Sequence, residues 1–172
     1  MMMTTAAEID LEVFRRYAGL SLPRHVSYPM PSWWSPLEAA EIASMRRESD
    51  GGGSPRDLSL YLHIPFCEAL CKFCACNRVI LRKNTEGADQ RVDAYLAAMI
   101  RELRQLAATV GSRRRVRQIH WGGGTPTYLS PDQVEQVHRA VEEAFLVPDD
   151  AEIAMEIDPR VTTPEMLRTL RR

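Results

Sequence analysis

The sequence predicts an α/β protein of about three strand–helix units, preceded by a mostly helical or irregular N-terminal arm. Alternating apolar and polar residues at 58–64 and 152–158 have the two-residue period of β-strands, and residues 116–121 are predicted to form another strand between them. A longer segment with apolar residues every three or four positions follows each of the first two strands, as in amphipathic helices. Strands and helices that alternate in this way are typical of parallel sheets with right-handed crossovers.

The chain is predicted to divide into an arm with a linker, residues 1–55, and a domain, residues 56–172. In the arm, Ser35-Pro36-Leu37-Glu38 has the form of a capping box and predicts a helix that begins at Pro36. The glycines at 51–53 are expected to end this helix and to form a flexible linker.

Composition argues against two broad classes of function. The 172 residues are 45% hydrophobic and 26% charged, which is enough for one domain with a core. The net charge of −1 argues against a general nucleic-acid-binding protein. No apolar run approaches the roughly 20 residues that span a membrane. We therefore expect a cytoplasmic protein with neither a nucleic-acid nor a membrane partner.

Both long helices of the domain carry a predicted buried stripe. Ser130-Pro131, with Gln133 after it, forms a capping box that predicts a helix beginning at Pro131. Thr163-Pro164 predicts one more helix after the third strand. The stripe of the first helix comprises Val92, Leu96, Met99, Leu103, Leu106 and Val110, and that of the second comprises Val134, Val137, Val141 and Phe145.

All four cysteines follow the first predicted strand, within residues 67–76. Pro65 ends that strand, so the thiols lie on a loop at its C-terminal edge, where α/β proteins place their chemistry. A structural zinc site would need a second ligand pair elsewhere, and disulfides are unexpected in a reducing compartment. Three thiolates on one loop suit an iron–sulfur cluster with one iron open to another ligand. Cys76 should point away from Cys74 in an extended segment and is interpreted as a non-ligand.

Three further groups of residues each allow two interpretations. Gly122-Gly123-Gly124 matches no nucleotide-binding motif, and is either a tight turn or a loop that lets a ligand approach the backbone. Glu156, near the end of the third strand, needs a partner, which a salt bridge within the fold would supply. The arginines at 113–115, with Arg117, are interpreted as a solvated loop rather than a phosphate site.

Several motifs resemble those of one enzyme family. The spacing Cys67-x3-Cys71-x2-Cys74 is similar to that of radical S-adenosylmethionine (SAM) enzymes, and longer strings resemble the oxygen-independent coproporphyrinogen III oxidases in particular. The resemblance extends from about Tyr17 to the end of the chain. Its strings are Tyr61-Leu62-His63-Ile64-Pro65-Phe66-Cys67, Cys71-Lys72-Phe73-Cys74-Ala75-Cys76-Asn77, Pro23-Arg24 with Ser27-Tyr28-Pro29, His120 to Leu129, and Glu156-Ile157-Asp158-Pro159-Arg160.

The resemblance implies two cofactors at one site. A [4Fe-4S] cluster would bind three thiolates of the chain, and its fourth iron would bind the amino and carboxylate groups of SAM. The implied cluster ligands are Cys67, Cys71 and Cys74; the implied SAM contacts are Gly123, Gly124, Thr125 and Glu156, with Tyr61 and Phe73 lining the same site.

The implied activity is the oxidative decarboxylation of coproporphyrinogen III to protoporphyrinogen IX in haem biosynthesis. Its partners are the porphyrinogen substrate and an electron donor for the cluster, and the full-length form is expected to be a monomer. Enzymes of this family have about twice as many strand–helix units. The chain is therefore expected to be the N-terminal part of a radical SAM barrel and, in isolation, an inactive fragment.

Two other functions remain open. A related branch of haem-trafficking proteins binds haem and does not oxidise coproporphyrinogen. Those proteins lack the Cys-x-Cys ending that Cys74-Ala75-Cys76 provides, which favours the oxidase. A non-catalytic metal-binding module is the second alternative.

Overall fold

The computed structural model describes residues 11–18, 33–51, 57–72, 74–110 and 115–172. The chain forms two compact units, Met1–Glu38 and Ala39–Arg172. The first contains helix α1 (Leu11–Ala18), and the second begins with helix α2 (Ala39–Gly51). The predicted boundary between arm and domain, between residues 55 and 56, lies outside the described residues and stays a prediction.

The start of α2 differs from the one predicted at Pro36. Residues 35–38 are not helical, and the helix begins at Ala39. The capping-box pattern was therefore wrong at this site. Ala39 and Ala40 have the highest intrinsic helix propensity of any residue type, so the helix starts where they stand. It ends at Gly51, as the glycine run predicts.

A parallel sheet organises the second unit and confirms the predicted α/β class. The bounds of the strands are β1 (Leu58–Ile64), β2 (Phe66–Cys67), β3 (Val79–Ile80), β4 (Val116–Gly123) and β5 (Glu152–Met155), and those of the helices are α3 (Ala88–Thr109), α4 (Pro131–Ala144) and α5 (Pro164–Arg171). The three strands of the sheet lie in the order β1, β4, β5, and a separate pair of short parallel strands, β2 and β3, closes the loop that carries the cysteines, the cysteine loop.

The third strand is shorter than predicted. It ends at Met155 rather than Asp158, so Glu156 lies just beyond the strand and not within it. The amide of Glu156 still donates to the carbonyl of Trp121 at 2.9 Å, which extends the pairing with β4 by one residue. The second strand, in contrast, runs past Trp121 to Gly123.

The core lies between one face of the sheet and helices α3 and α4, which pack against each other. Helix α4 buries its predicted stripe, whereas the stripe of α3 is partly wrong. Ile100 and Ala107 of α3 are buried, because the interface follows the 3.6-residue period along 92, 96, 100, 103 and 107. The correctly predicted residues are Val92, Leu96 and Leu103; Met99, Leu106 and Val110 are only half-buried.

The start of α4 confirms its predicted capping box. The Gln133 amide donates to Ser130 Oγ at 3.2 Å, and the Ser130 amide donates to Gln133 Oε1 at 3.0 Å. Thr163 caps α5 with its side chain alone, as its Oγ1 accepts from the Met166 amide at 3.1 Å. These helices therefore begin at Pro131 and Pro164, as the sequence predicts.

Replacing Ser130 with alanine is expected to destabilise the folded state by about 1 kcal/mol, because the Gln133 amide loses its acceptor. Urea unfolding followed by circular dichroism should show a lower midpoint with an unchanged slope. Ser130→Asp supplies an acceptor and a favourable charge at the helix N-terminus, so it should keep the original midpoint. Equal loss in both variants would contradict the cap.

The opposite face of the sheet is polar. Tyr61, His63 and His120 point away from the helices, and Tyr61 of β1 lies directly beside His120 of β4 in the register of the strands. Among the described residues, no helix is long and apolar enough to cross a membrane.

Candidate functional site

The two ends of the cysteine loop lie side by side. The Val79 amide donates to the carbonyl of Pro65 at 2.7 Å, and the Leu81 amide donates to that of Cys67 at 2.9 Å. These bonds hold β2 and β3 side by side, so the intervening residues form a closed loop at the C-terminal edge of the sheet. Pro65 ends β1 just before this loop, because proline has no backbone N–H to donate to a neighbouring strand.

Cys67 lies at the base of this loop, against the segment that follows β4. Its side chain is buried, and its Sγ lies 3.4 Å from Thr125 Oγ1. Gly124 makes the approach possible, since a Cβ atom there would stand 2.5 Å from the carbonyl oxygen of Pro65 and 2.9 Å from Cys67 Sγ. The Gly124 amide also donates to the carbonyl of Ile64 at 2.8 Å.

A tight turn brings Cys71 and Cys74 together. The Cys74 amide donates to the carbonyl of Cys71 at 3.1 Å, which places the two residues as neighbours across a turn. Both side chains are half-buried. Phe73, predicted to line the SAM site, lies outside the described residues.

The orientation predicted for Cys76 was wrong. The chain bends at Cys76 rather than staying extended. Partial desolvation, together with the charge and hydrogen bonding of the nearby Cys74 thiol, raises the pKa of Cys76. The two side chains therefore lie close together. Cys76 is the exposed member of the four, and its assignment as a non-ligand stays a prediction.

The glycine loop, Gly122-Gly123-Gly124, turns the chain and also passes close to a neighbouring side chain. Gly123 has a φ angle of 114°, a conformation that side chains rarely adopt. A Cβ atom there would also stand 2.7 Å from the ring of His63. The His63 ring is held in place by contacts of 3.3 Å to the hydroxyl of Tyr61 and 3.0 Å to the carbonyl of Asn77, at the far end of the cysteine loop.

Glu156 reaches over the end of β4. Its Oε2 accepts from the Gly123 amide at 3.3 Å, and its Oε1 lies 3.4 Å from Nε2 of His120. The side chain is 55% exposed. A salt bridge within the fold is thus available when His120 is protonated, but half of the carboxylate still faces solvent and can bind a ligand.

Tyr61 occupies the centre of the polar face. Its ring stacks on His120 with centroids 5.8 Å apart and planes 10° from parallel. Desolvation, and then the negative charges of Glu156 and Cys76, raise the pKa of the Tyr61 hydroxyl. The hydroxyl therefore keeps its proton and remains a hydrogen-bond donor near the glycine loop.

Arg160 joins the site from the loop after β5. Its Nη2 donates to Cys71 Sγ at 3.4 Å and to Asp158 Oδ2 at 2.7 Å, and its Nε donates to Asp158 Oδ1 at 3.0 Å. These hydrogen bonds lower the pKa of the Asp158 carboxyl. The carboxylate and the Cys71 sulfur raise the pKa of Arg160, so its guanidinium stays positively charged.

A cavity of about 670 Å³ opens where these segments meet. It lies at the C-terminal edge of the sheet, where α/β proteins bind ligands. Residues from the cysteine loop, the glycine loop and the loop after β5 line it together. They include Cys71, Gly124, Thr125, Glu156, Asp158 and Arg160.

The thiols of the cysteine loop fit an iron–sulfur cluster. Among the described residues, no three cysteine, histidine or carboxylate side chains lie close enough to share a single ion. The loop nevertheless offers one buried and two half-buried thiols beside an open cavity, a donor set that iron–sulfur clusters prefer. Cys67, Cys71 and Cys74 would hold the cluster, and the cavity would admit a ligand of its open iron.

Arg115 and Arg117, the described members of the arginine run, lie away from this site. Arg117 Nη1 pairs with Asp150 Oδ2 at 2.7 Å, and Arg115 lies 3.6 Å from carboxylates of both Asp57 and Asp150. These pairs are near the start of β4, at the opposite end of the sheet. Residues 113 and 114 lie outside the described part of the chain.

Four residues of the site carried no role in the sequence interpretation. Arg160 was noted only within a motif string, and Asp158, His63 and His120 only as part of strand patterns or motif strings. The alternation of β1 does predict that Tyr61 and His63 share a face. Nothing in the sequence pattern indicates that Arg160 meets Cys71, which lies 89 positions earlier.

Comparison with known proteins gives one family. The model of the radical SAM superfamily matches residues 61–172. Oxygen-independent coproporphyrinogen III oxidases match over most of the chain. That of Bradyrhizobium diazoefficiens is 39% identical over 90% of this chain, that of Escherichia coli is 38% identical over 94%, and that of Mannheimia haemolytica is 41% identical over 87%.

The match covers different shares of these relatives. The chain spans 33% of the Bradyrhizobium and Escherichia proteins and 96% of the Mannheimia sequence. A solved structure of coproporphyrinogen III oxidase from Escherichia coli, described as a radical SAM enzyme, aligns with a TM-score of 0.73 and 35% identity. The alignment covers 95% of this chain and 34% of that structure. The chain therefore corresponds to about a third of the longer relatives.

Proposed function

Because the chain belongs to the radical SAM superfamily and, within it, to the oxygen-independent coproporphyrinogen III oxidases, we propose that it forms the cluster-binding and SAM-binding part of such an enzyme. The observation that carries this proposal is the convergence of three loops on one cavity. Cys71, Gly124 and Glu156 come from separate strand–helix units and line it together. A thiolate can bind the cluster. An accessible backbone and a carboxylate can bind the methionine part of SAM.

The proposed reaction converts coproporphyrinogen III to protoporphyrinogen IX. At each of two propionates, one hydrogen atom is abstracted, CO₂ leaves, and one electron passes to an acceptor, which gives a vinyl group. When bound, the cluster and SAM supply the one-electron chemistry that removes the hydrogen atom. We also propose that a separate electron donor reduces the cluster, and that the full-length protein is a cytoplasmic monomer.

The chain's own residues position these groups. Cys67 is fixed by Thr125 and the close approach of Gly124, so the first ligand is held against the glycine loop. Glu156 accepts from the Gly123 amide, and its solvent-facing carboxylate would bind the amino group of SAM. The protonated hydroxyl of Tyr61 lies on the same polar face and offers a donor to the cofactor. The cavity excludes bulk water once it is filled.

The decisive experiment is anaerobic assay of the reconstituted full-length protein with SAM and a reductant. Protoporphyrinogen is followed by the fluorescence of its oxidised form, and haem is titrated in parallel. We expect turnover that depends on SAM, together with iron and labile sulfide near four of each per chain. Tight haem binding without turnover would support the haem-trafficking alternative, and zinc without sulfide would support a metal-binding module.

Glu156→Ala is expected to weaken SAM binding by about tenfold to a hundredfold, because it removes a charge-assisted hydrogen bond of roughly 1.5–3 kcal/mol. The iron–sulfur absorbance should stay the same. Calorimetry with the reconstituted protein measures the affinity. Glu152→Ala, at the exposed start of β5, is the control and should bind SAM normally. Unchanged affinity in Glu156→Ala would return this residue to a structural role.

A further inference from the structure

We propose that Arg160 is a positioning residue whose hydrogen bond to Cys71 Sγ makes the bound cluster easier to reduce. The inference rests on the proposed function, because it concerns the cluster that Cys71 would help to hold. Three observations carry it: the independent fixing of the guanidinium, the rigid support of its carboxylate partner, and its contact with the sulfur.

The position of the guanidinium does not depend on the thiol. Asp158 accepts from Arg160 Nη2 at 2.7 Å and from its Nε at 3.0 Å, so two parallel bonds fix the plane of the head group. The Arg160 amide donates to the same carboxylate at 3.0 Å. Arg160 is therefore held in place before a cluster binds, and it would stay there when Cys71 becomes a ligand.

The support of Asp158 is itself anchored in the fold. Thr162 Oγ1 donates to the carbonyl of Asp158 at 2.7 Å and lies 2.8 Å from Thr127 Oγ1, whose hydroxyl can donate to it in turn. Thr127 is 2% exposed and belongs to the turn that follows the glycine loop. The loop after β5 is thus tied to the segment that holds Cys67, and Arg160 has a defined place relative to the cysteine loop.

The contact with sulfur is what distinguishes Arg160 from an ordinary surface ion pair. An exposed pair with Asp158 alone would contribute little to stability. The Nη2 of Arg160, however, also donates to Cys71 Sγ at 3.4 Å. Hydrogen bonds to ligating sulfurs, and the charges around them, set the potential of iron–sulfur clusters.

The sign of the effect follows from charge. Reduction adds one negative charge to the cluster, and a fixed cation beside a ligating sulfur stabilises the more negative state. A donated N–H bond also withdraws electron density from the thiolate. Arg160 therefore raises the midpoint potential, so that a cellular electron donor reduces the cluster more readily.

The test is a redox titration of the reconstituted full-length protein, with the reduced cluster detected by electron paramagnetic resonance. Arg160→Gln should shift the midpoint potential to a more negative value, because the positive charge and the paired hydrogen bonds to Asp158 are both lost. Arg160→Lys keeps the charge without the paired geometry, and its potential should lie between the other two. Arg117→Gln is the matched control and should leave the potential unchanged. Arg117 is similarly exposed and is also held by an aspartate at 2.7 Å, but at the other end of β4.

The outcomes separate this inference from the proposed function. Equal potentials in all four proteins would overturn the role of Arg160 while the cluster itself remained established. Loss of the cluster in both Arg160 variants would also overturn it, in favour of a purely structural bond. Absence of a cluster from the unchanged protein would overturn the proposed function and this inference with it.

Discussion

Replacing Cys67, Cys71 or Cys74 with alanine is expected to abolish the iron–sulfur absorbance of the anaerobically reconstituted protein. A cluster with three protein ligands needs all three thiolates, so each loss should remove the cluster rather than weaken its binding. SAM binding and turnover should disappear with it. Absorbance spectra and iron and sulfide analysis measure the effect, while circular dichroism shows that the sheet has folded.

Cys76→Ala provides the control and is expected to keep the cluster. The bend that brings Cys76 beside Cys74 makes Cys74→Ala the most demanding case, since the neighbouring thiol could take the vacant place. A double variant, Cys74→Ala with Cys76→Ala, resolves this. If the single Cys74 variant keeps a cluster that the double variant loses, then Cys76 can replace Cys74. If Cys76→Ala alone removes the cluster, the assignment of ligands is wrong.

The sequence predicted the framework well because periodicity reports which face a residue occupies. The bounds of β1 and the starts of α4 and α5 match their predictions, since alternation and capping residues mark them locally. The start of α2 did not, because a capping-box pattern has meaning only where the following residues become helical. The buried stripe of α3 differs from the predicted one because the buried positions of a long helix follow a period of 3.6 residues, which no fixed spacing of three or four reproduces.

The candidate site was predictable only in part. Spacing on one loop identified Cys67, Cys71 and Cys74 as a group, and the parallel sheet brought the glycine loop and Glu156 to the same edge. The contact between Arg160 and Cys71 depends on how two loops from different units fold over that edge. The bend at Cys76 likewise depends on local geometry, whereas the prediction assumed an extended chain.

Gly124→Ala is expected to have the second largest effect, a loss of most of the cluster and of SAM binding. The added methyl group would stand 2.5 Å from the carbonyl oxygen of Pro65 and 2.9 Å from Cys67 Sγ. The first of these is backbone at the start of the cysteine loop, so the loop itself must move. Such overpacking costs about 1–3 kcal/mol, which corresponds to a roughly fivefold to hundredfold weaker retention of the cluster.

Gly122→Ala is the matched control, because it makes the same change two positions earlier. Its methyl group would meet the end of the Tyr61 side chain at 2.9 Å. Tyr61 is 58% exposed, so its ring can turn aside without moving the backbone. The cluster should therefore survive in Gly122→Ala and be lost in Gly124→Ala, with iron and sulfide content as the measurement. Equal retention in both variants would show that the cysteine loop does not depend on its close approach to the glycine loop.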